Sequence, residues 1–246
     1  MRLSVLSDLH IKGSEDPFYR SLLRVIGTAS GEGDVIVLAG DIFDLFVGNK
    51  PVFIRRYSDF IWACQAALQR GVQIHYIEGN HDFLIRRAFR KMDGLFVHPQ
   101  DVSLQMDQAR FFIAHGDLVD RSDRSYLMLR KLFRSVAMKA FVRLAPGTVL
   151  DAVGRTSSRH SRSGRKKISG TPPKRSVFHA FACERIREGY DFVVLGHSHD
   201  ADESSLAVDG RRGRYYNVGY PRVHGTYLVW TGAENGFRRE PLPSAT

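Results

Sequence analysis

Five apolar, strand-like runs in this 246-residue chain end abruptly in Asp, Asn and His. They are RLSVLSDLH with Asp8 and His10, DVIVLAGDIFD with Asp41 and Asp44, and VQIHYIEGNHD with Asn80, His81 and Asp82. RFFIAHGD with His115 and Asp117, and YDFVVLGHSHD with His197, His199 and Asp200, complete the set. Buried strands read as continuous apolar runs, and the loops just past their ends are where a rigid scaffold presents chemistry. One such end carries little information, because a lone histidine is usually a surface or satisfied core residue. Five with the same grammar converge on one site.

The donor types narrow the chemistry. Carboxylates, an amide carbonyl and imidazoles suit Mn, Fe, Zn or Co, and no cysteine stands among them, which argues against a structural zinc knot. Seven such donors exceed what one tetrahedral ion takes and suit two ions sharing a carboxylate. Such a pair, roughly 3.5–4 Å apart, activates water and clamps the oxygens of a phosphate during in-line displacement.

The blocks D-x-H, G-D-x-x-D, G-N-H-D, H-G-D and G-H-x-H, in this order from position 8 to 199, resemble those of the calcineurin-like metallophosphoesterases. The resemblance implies an α/β fold of two packed mixed β-sheets flanked by helices. It places Asp8, His10 and His199 on one metal ion, and Asn80, His115 and His197 on the other, with Asp41 bridging. It makes His81 a catalytic residue that contacts the phosphate and helps protonate the leaving oxygen. Asp44 would orient His81 by accepting its other N–H. The implied cofactors are two divalent metal ions, Mn first, with Fe, Zn, Co or Mg accepted by the same donors.

The chain fits one metallophosphoesterase domain over 1–246, since the blocks span too much of it to divide. Cys64, within the apolar helical stretch DFIWACQAAL, reads as a reduced interior thiol. The chain enters a strand at once, without a charged leader, and no 18-residue apolar run occurs, so the expected location is cytoplasmic. PFYRSLLRVIGTA and VFIRRYSDFIWACQAALQRG read as one helix each, and DFLIRRAFRKMDG as a short helix running into a strand at LFVHP. The C-terminal stretch alternates strands and turns, with hairpin signals at Asp209–Gly210 and Asn235–Gly236. No internal repeat is present.

Charge is concentrated in one place. Residues 121–187 carry 17 Lys and Arg against 3 Asp and Glu, whereas the whole chain is +10. That asymmetry marks 121–187 as a basic helical cap insertion with an anionic partner. Within it, RSYLMLRKLFRSVAMKAFVRL puts Tyr126, Leu129, Phe133, Val136, Phe141 and Leu144 near one helical stripe, ended by Pro146 and Gly147. Such a basic amphipathic helix packs on a core, binds a partner helix or lies on an anionic membrane surface.

HGDLVDRSDRSYLMLRKLFR and the Ser-rich basic segment after it are similar to the cap of bacterial UDP-2,3-diacylglucosamine hydrolases, peripheral membrane enzymes of lipid A synthesis that cleave a pyrophosphate and release UMP. The resemblance implies a lipid-linked UDP-sugar substrate contacted by Asn80, His81, Asp123, Tyr126, Ser157, Ser158 and Arg162. It also implies a peripheral position on the inner face of the cytoplasmic membrane. His81 departs from the Arg of the best-known members. The alternative is a metallophosphoesterase acting on nucleic acid, nucleotide or phosphoprotein. Against nucleic acid, only Phe178 and Phe181 supply stacking aromatics between 152 and 183. The sequence leaves the oligomeric state open.

Overall fold

The computed structural model describes residues 1–154, 175–232 and 235–244. In chain order, β1 (Leu3–Leu6), α1 (Pro17–Thr28), β2 (Val35–Ala39) and β3 (Phe46–Val47) come first. Helices α2 (Pro51–Arg56) and α3 (Ser58–Gln69) precede β4 (Gln73–Ile77), β5 (Asp82–Phe83) and β6 (Leu95–His98). Then follow β7 (Asp101–Met106), β8 (Ala109–Ala114), α4 (Arg124–Phe133), α5 (Val136–Leu144) and a helix α6 at 147–154. The chain closes with α7 (Arg175–Arg187), β9 (Phe192–Leu195), β10 (Asp202–Val208), β11 (Arg211–Asn217), α8 (Pro221–His224), β12 (Thr226–Trp230) and β13 (Phe237–Pro241).

One sheet runs β13-β12-β1-β2-β4-β6 and another β10-β11-β9-β8-β7. Both are mixed: β1, β2, β4 and β6 are parallel, with β12 antiparallel to β1 and β13 antiparallel to β12, and β8, β9 and β11 are parallel with β7 and β10 antiparallel. Alternate residues of β1 and β2 explain the layering. Val5 and Val37 join Phe111, Val194 and Trp230 between the sheets, while Leu6 and Leu38 join Leu22, Phe60 and Cys64 beneath α1 and α3. A third cluster seats α7, through Phe178, Ala182 and Ile186, on the outer face of the second sheet. This is the expected architecture, helix–sheet–sheet–helix. Both cysteines are free and Cys64 is buried.

Three helix expectations are corrected. The segment 52–71 is two helices meeting at Tyr57, whose φ of −115° ends α2. Its buried ring packs 4.0 Å from that of Phe43, so core packing outweighs the continuous periodicity. The segment 82–94 forms β5 and a single 3-10 turn at Ile85–Arg87 rather than a short helix, because Leu84 is left-handed (φ 57°) and Asp82 is engaged elsewhere. The expected cap helix breaks at Ser135, whose hydroxyl accepts the Met138 N–H at 3.1 Å and starts α5. The Asp209–Gly210 turn joins β10 to β11 with φ of 50° and 78°, as the hairpin signal requires.

At the edge of the first sheet, His75 of β4 stacks on Phe96 and His98 of β6, with His75 Nδ1 3.0 Å from His98 Nε2. Burial, with His98 adding to it, holds His75 down to about 4 from an ordinary 6.5. The unfolded chain therefore takes up a proton that the folded chain refuses, and stability present at neutral pH is lost as pH falls from about 6.5 toward 4. His75→Phe should remove about 2 kcal/mol of that loss. Urea unfolding of wild type and variant at about pH 7 and 4.5 checks it, and equal losses in both would exclude His75 as the cause.

Candidate metal centre

Three of the strands that enter the centre, β1, β2 and β9, deliver their polar residues by abrupt left-handed turns. Asp8, His10, Asp41, His197 and His199 all have φ between 46° and 65°. Positive φ is uncommon outside glycine, is several-fold enriched in Asn, Asp and His, and costs on the order of 1 kcal/mol or more at each position. Five such residues at the ends of β1, β2 and β9 persist because their surroundings fix them. Gly79 and Gly196 allow the close approach: a side chain at Gly79 would collide with the Asp41 carboxylate, and one at Gly196 with Ser7 and Asp8.

Donor atoms of Asp8, His10 and His199 lie within 4.8 Å of one another, as do those of Asp8, Asp41 and His115. Asp41 Oδ2 stands between the two groups, 3.9 Å from His10 Nε2 and 3.5 Å from His115 Nε2. His197 and Asn80 adjoin the second group: the His197 ring meets that of His115 at 5.1 Å, and its Nδ1 is 3.4 Å from Asn80 Nδ2. Asp8 Oδ1, His10 Nε2 and His115 Nε2 are buried with no hydrogen-bond partner among the described residues. Converging orphaned donors of this chemistry fit divalent cations.

Their free orientation follows from what holds the opposite atoms. His115 Nδ1 donates to the Ala39 carbonyl at 3.0 Å, which turns Nε2 inward. Asp8 Oδ2 accepts the Ser7 hydroxyl at 2.6 Å and the His197 N–H at 2.9 Å, leaving Oδ1. Asp41 Oδ1 accepts the N–H groups of Asn80 (2.7 Å) and His81 (3.0 Å), leaving Oδ2. Burial alone would raise the Asp8 and Asp41 carboxyls. His199 and His115 outweigh it at Asp8, and His115 and His81 at Asp41, so both lie below the usual carboxylate range. Burial holds His10 and His197 down to about 4, in the neutral form that ligates metal. At His115 burial is overcome by Asp41 and Asp8, which carry it up to about 10.

His81 is half-buried, edge-on to His10 at 5.0 Å, and its Nδ1 is 3.0 Å from the backbone carbonyl of Asp44. The carbonyl of Asp44 thus holds the ring, where the motif suggested its carboxylate. A donor atom of Asp44 nonetheless lies within 4.8 Å of donors on His10 and His81.

The cap meets this centre with its polar face. Tyr126, Arg130 and Arg134, at successive i, i+4 positions, all reach the core. The Tyr126 hydroxyl contacts Asn80 Oδ1 and lies 2.9 Å from Asp117 Oδ2. Arg130 pairs with Asp117, and Arg134 with Glu78 at 2.8 Å. Of the expected stripe, Tyr126 meets the His197 ring at 5.7 Å and Phe133 stacks on Phe83 at 5.7 Å, while Val136 and Leu144 are each 81% exposed. Asp123 is exposed and caps α4 by accepting the Tyr126 N–H at 3.0 Å. Ser157, Ser158 and Arg162 lie outside the described residues.

Sequence reasoning assigned no role to Asp82, Asp117 or Glu78. Asp82 is buried and accepts from the N–H groups of Asp41, Gly79, Ile42 and Phe43 and from the Tyr76 hydroxyl, at 2.7–3.3 Å. It thereby sets the turn that presents Asp41. Its place as the last residue of the G-N-H-D block was the available signal.

Comparisons with known proteins give the family. The chain belongs to the calcineurin-like phosphoesterases, whose family model matches residues 1–201, and it is a metal-dependent hydrolase. A UDP-2,3-diacylglucosamine hydrolase of Neisseria gonorrhoeae is 27% identical over 240 residues, covering 83% of this chain and 93% of that protein. Another, of Aeromonas salmonicida, is 25% identical over 241 residues, covering 97% and 93%. The solved structure of an archaeal phosphodiesterase is 14% identical with a TM-score of 0.48, covering 98% of this chain and all of that one. Among the described residues, no helix is long and apolar enough to cross a membrane.

Proposed function

We propose that this protein hydrolyses the pyrophosphate of a UDP-linked lipid sugar of the UDP-2,3-diacylglucosamine type and releases UMP, working at the cytoplasmic face of a membrane. Asp8, His10 and His199 would hold one divalent cation, Mn first, and Asn80, His115 and His197 the other, with Asp41 between them. When bound, the pair polarises phosphoryl oxygens and lowers the pKa of water. Donation from His81 Nδ1 to the Asp44 carbonyl leaves Nε2 as the nitrogen that would protonate the departing phosphate oxygen. Tyr126, tied to Asn80 and Asp117, presents the cap to the same place.

The observation that carries the lipid reading is a groove of about 1160 Å³ between α5 and the core, beginning at Glu78 and Arg134 just beside Asn80. Its wall combines Leu84, Val97, Val136 and Leu144 with the exposed cations Arg86 and Lys139. An acyl chain needs the first set and a phosphorylated head group the second. The exposed Met128, Leu129, Leu132 and Phe141 among the Arg and Lys of α4 and α5 support docking on an anionic bilayer. The names of the relatives point to the same substrate.

The Mn-loaded protein, incubated with UDP-2,3-diacylglucosamine in detergent micelles, should release UMP. No UMP, alongside clear hydrolysis of a generic phosphodiester by the same sample, would keep the chemistry and discard the substrate. Nucleic acid would be the next substrate to test, its binding weakening steeply with salt.

A further inference from the structure

The family match ends at residue 201, yet the chain returns to the metal centre after it. Beyond β11 the backbone turns sharply at Gly219 (φ 82°), where a β-carbon would lie 2.8 Å from that of Ala201. The fully buried Asn217 fixes this turn: its Nδ2 donates to the Gly196 carbonyl at 3.0 Å and its Oδ1 accepts the Gly219 N–H at 3.0 Å. The turn delivers Tyr220 and Arg222 to one side of the centre. The Tyr220 ring lies flat on His199, centroids 4.4 Å apart and planes 3° from parallel, and edge-on to His10 at 6.1 Å. The Arg222 guanidinium donates to the carbonyls of Leu9 (2.7 Å) and His10 (2.9 Å) and to Asp16 Oδ2 (2.5 Å), and rests on the Phe18 ring.

A ligating imidazole is usually aimed by a hydrogen bond from its second ring nitrogen. His115 has one, to the Ala39 carbonyl. His10 and His199 have none to Nδ1 among the described residues, although both hold left-handed backbones at φ 46° and 61°. Something else must aim them. The stacked ring of Tyr220 limits rotation of the His199 imidazole, and two hydrogen bonds from Arg222 pin the peptide groups on either side of the His10 α-carbon. Neither residue makes a described contact with Asn80, His115 or His197.

We propose that Tyr220 and Arg222 are positioning residues for the Asp8, His10 and His199 group, setting the affinity of one cation while leaving the other unchanged. The assignment rests on the two-cation reading above. It makes the two sites separable: one is built wholly within the family-matched core, and the other is completed by a segment outside it.

The test is manganese binding by chelator-stripped protein, read as ions per chain by elemental analysis and as affinities by calorimetry. Wild type should take up two ions. Tyr220→Leu and Arg222→Gln should hold one at the concentration that saturates wild type, the second needing about 10–100-fold more Mn. Tyr220→Phe, which keeps the ring, should hold two. Metal-free thermal midpoints should stay near that of wild type for the two Tyr220 variants, which separates aiming from folding should Arg222→Gln prove unstable. Two ions of unchanged affinity in Tyr220→Leu, or equal loss in Tyr220→Phe, would overturn the assignment. Fewer than two ions in wild type would instead overturn the two-cation reading itself.

Discussion

Asp41→Asn is expected to abolish turnover and to weaken the binding of both cations together. The substitution is nearly isosteric, and an Asn Oδ1 still accepts the Asn80 and His81 N–H groups that Asp41 Oδ1 accepts at 2.7 and 3.0 Å. The turn between β4 and β5 should therefore keep its shape. What changes is the second atom. Asp41 Oδ2 faces His10 Nε2 at 3.9 Å and His115 Nε2 at 3.5 Å, and an amide NH2 placed there is neutral and carries no lone pair for a cation. Removing partners that merely brace a ligand costs roughly 10–100-fold in affinity or rate, so loss of the shared ligand should exceed about 100-fold. Hydrolysis of a chromogenic phosphodiester and bound Mn per chain, measured on one sample, decide the matter. A variant with normal turnover would show that Asp41 bridges nothing.

The centre was legible in the sequence because its donors stand at strand ends, where a continuous apolar run breaks into Gly, Asp, Asn and His. Gly40 and Gly196 mark those turns, and the pairing of β1 with β2 and β8 with β9 then brings separate blocks side by side. The supports were not legible. Arg222 acts on Leu9 and His10 across more than two hundred residues of chain, and Tyr220 on His199 by ring stacking, and neither leaves a local pattern. Asp44 shows the same limit: its carbonyl, invisible to any side-chain motif, holds His81.

Which face of the cap turns inward was not legible for a related reason. Its apolar stripe left core packing, a partner helix and a membrane surface all open, although amphipathic helices usually bury that face. Here the core offers the carboxylates of Asp117 and Glu78, both buried, and they draw Arg130 and Arg134 inward. Buried carboxylates of this kind need a charged partner. Val142 and Met138 still pack on the core, while Met128, Leu132, Val136 and Leu144 are left outside. Sequence periodicity identifies a two-faced helix without saying which face the rest of the fold will claim.

His81→Ala should lower kcat by about 10²-fold or more, near 2.7 kcal/mol, while two Mn ions remain bound. The ion count is expected to hold because His81 groups with His10 and Asp44 without completing either principal group, and its own Nδ1 is committed to the Asp44 carbonyl. Two explanations of the rate loss differ in what they require. If His81 gives a proton to the departing oxygen, its removal should matter little for a 4-nitrophenyl diester, whose leaving group departs without one, and greatly for an alkyl diester, whose alkoxide does not. If it only offsets charge on the phosphoryl oxygens, both substrates should slow alike, and His81→Arg should restore both. An alanine variant with full rate and full metal content would remove His81 from the mechanism. A loss confined to the poorer leaving group would assign the proton transfer to its imidazole.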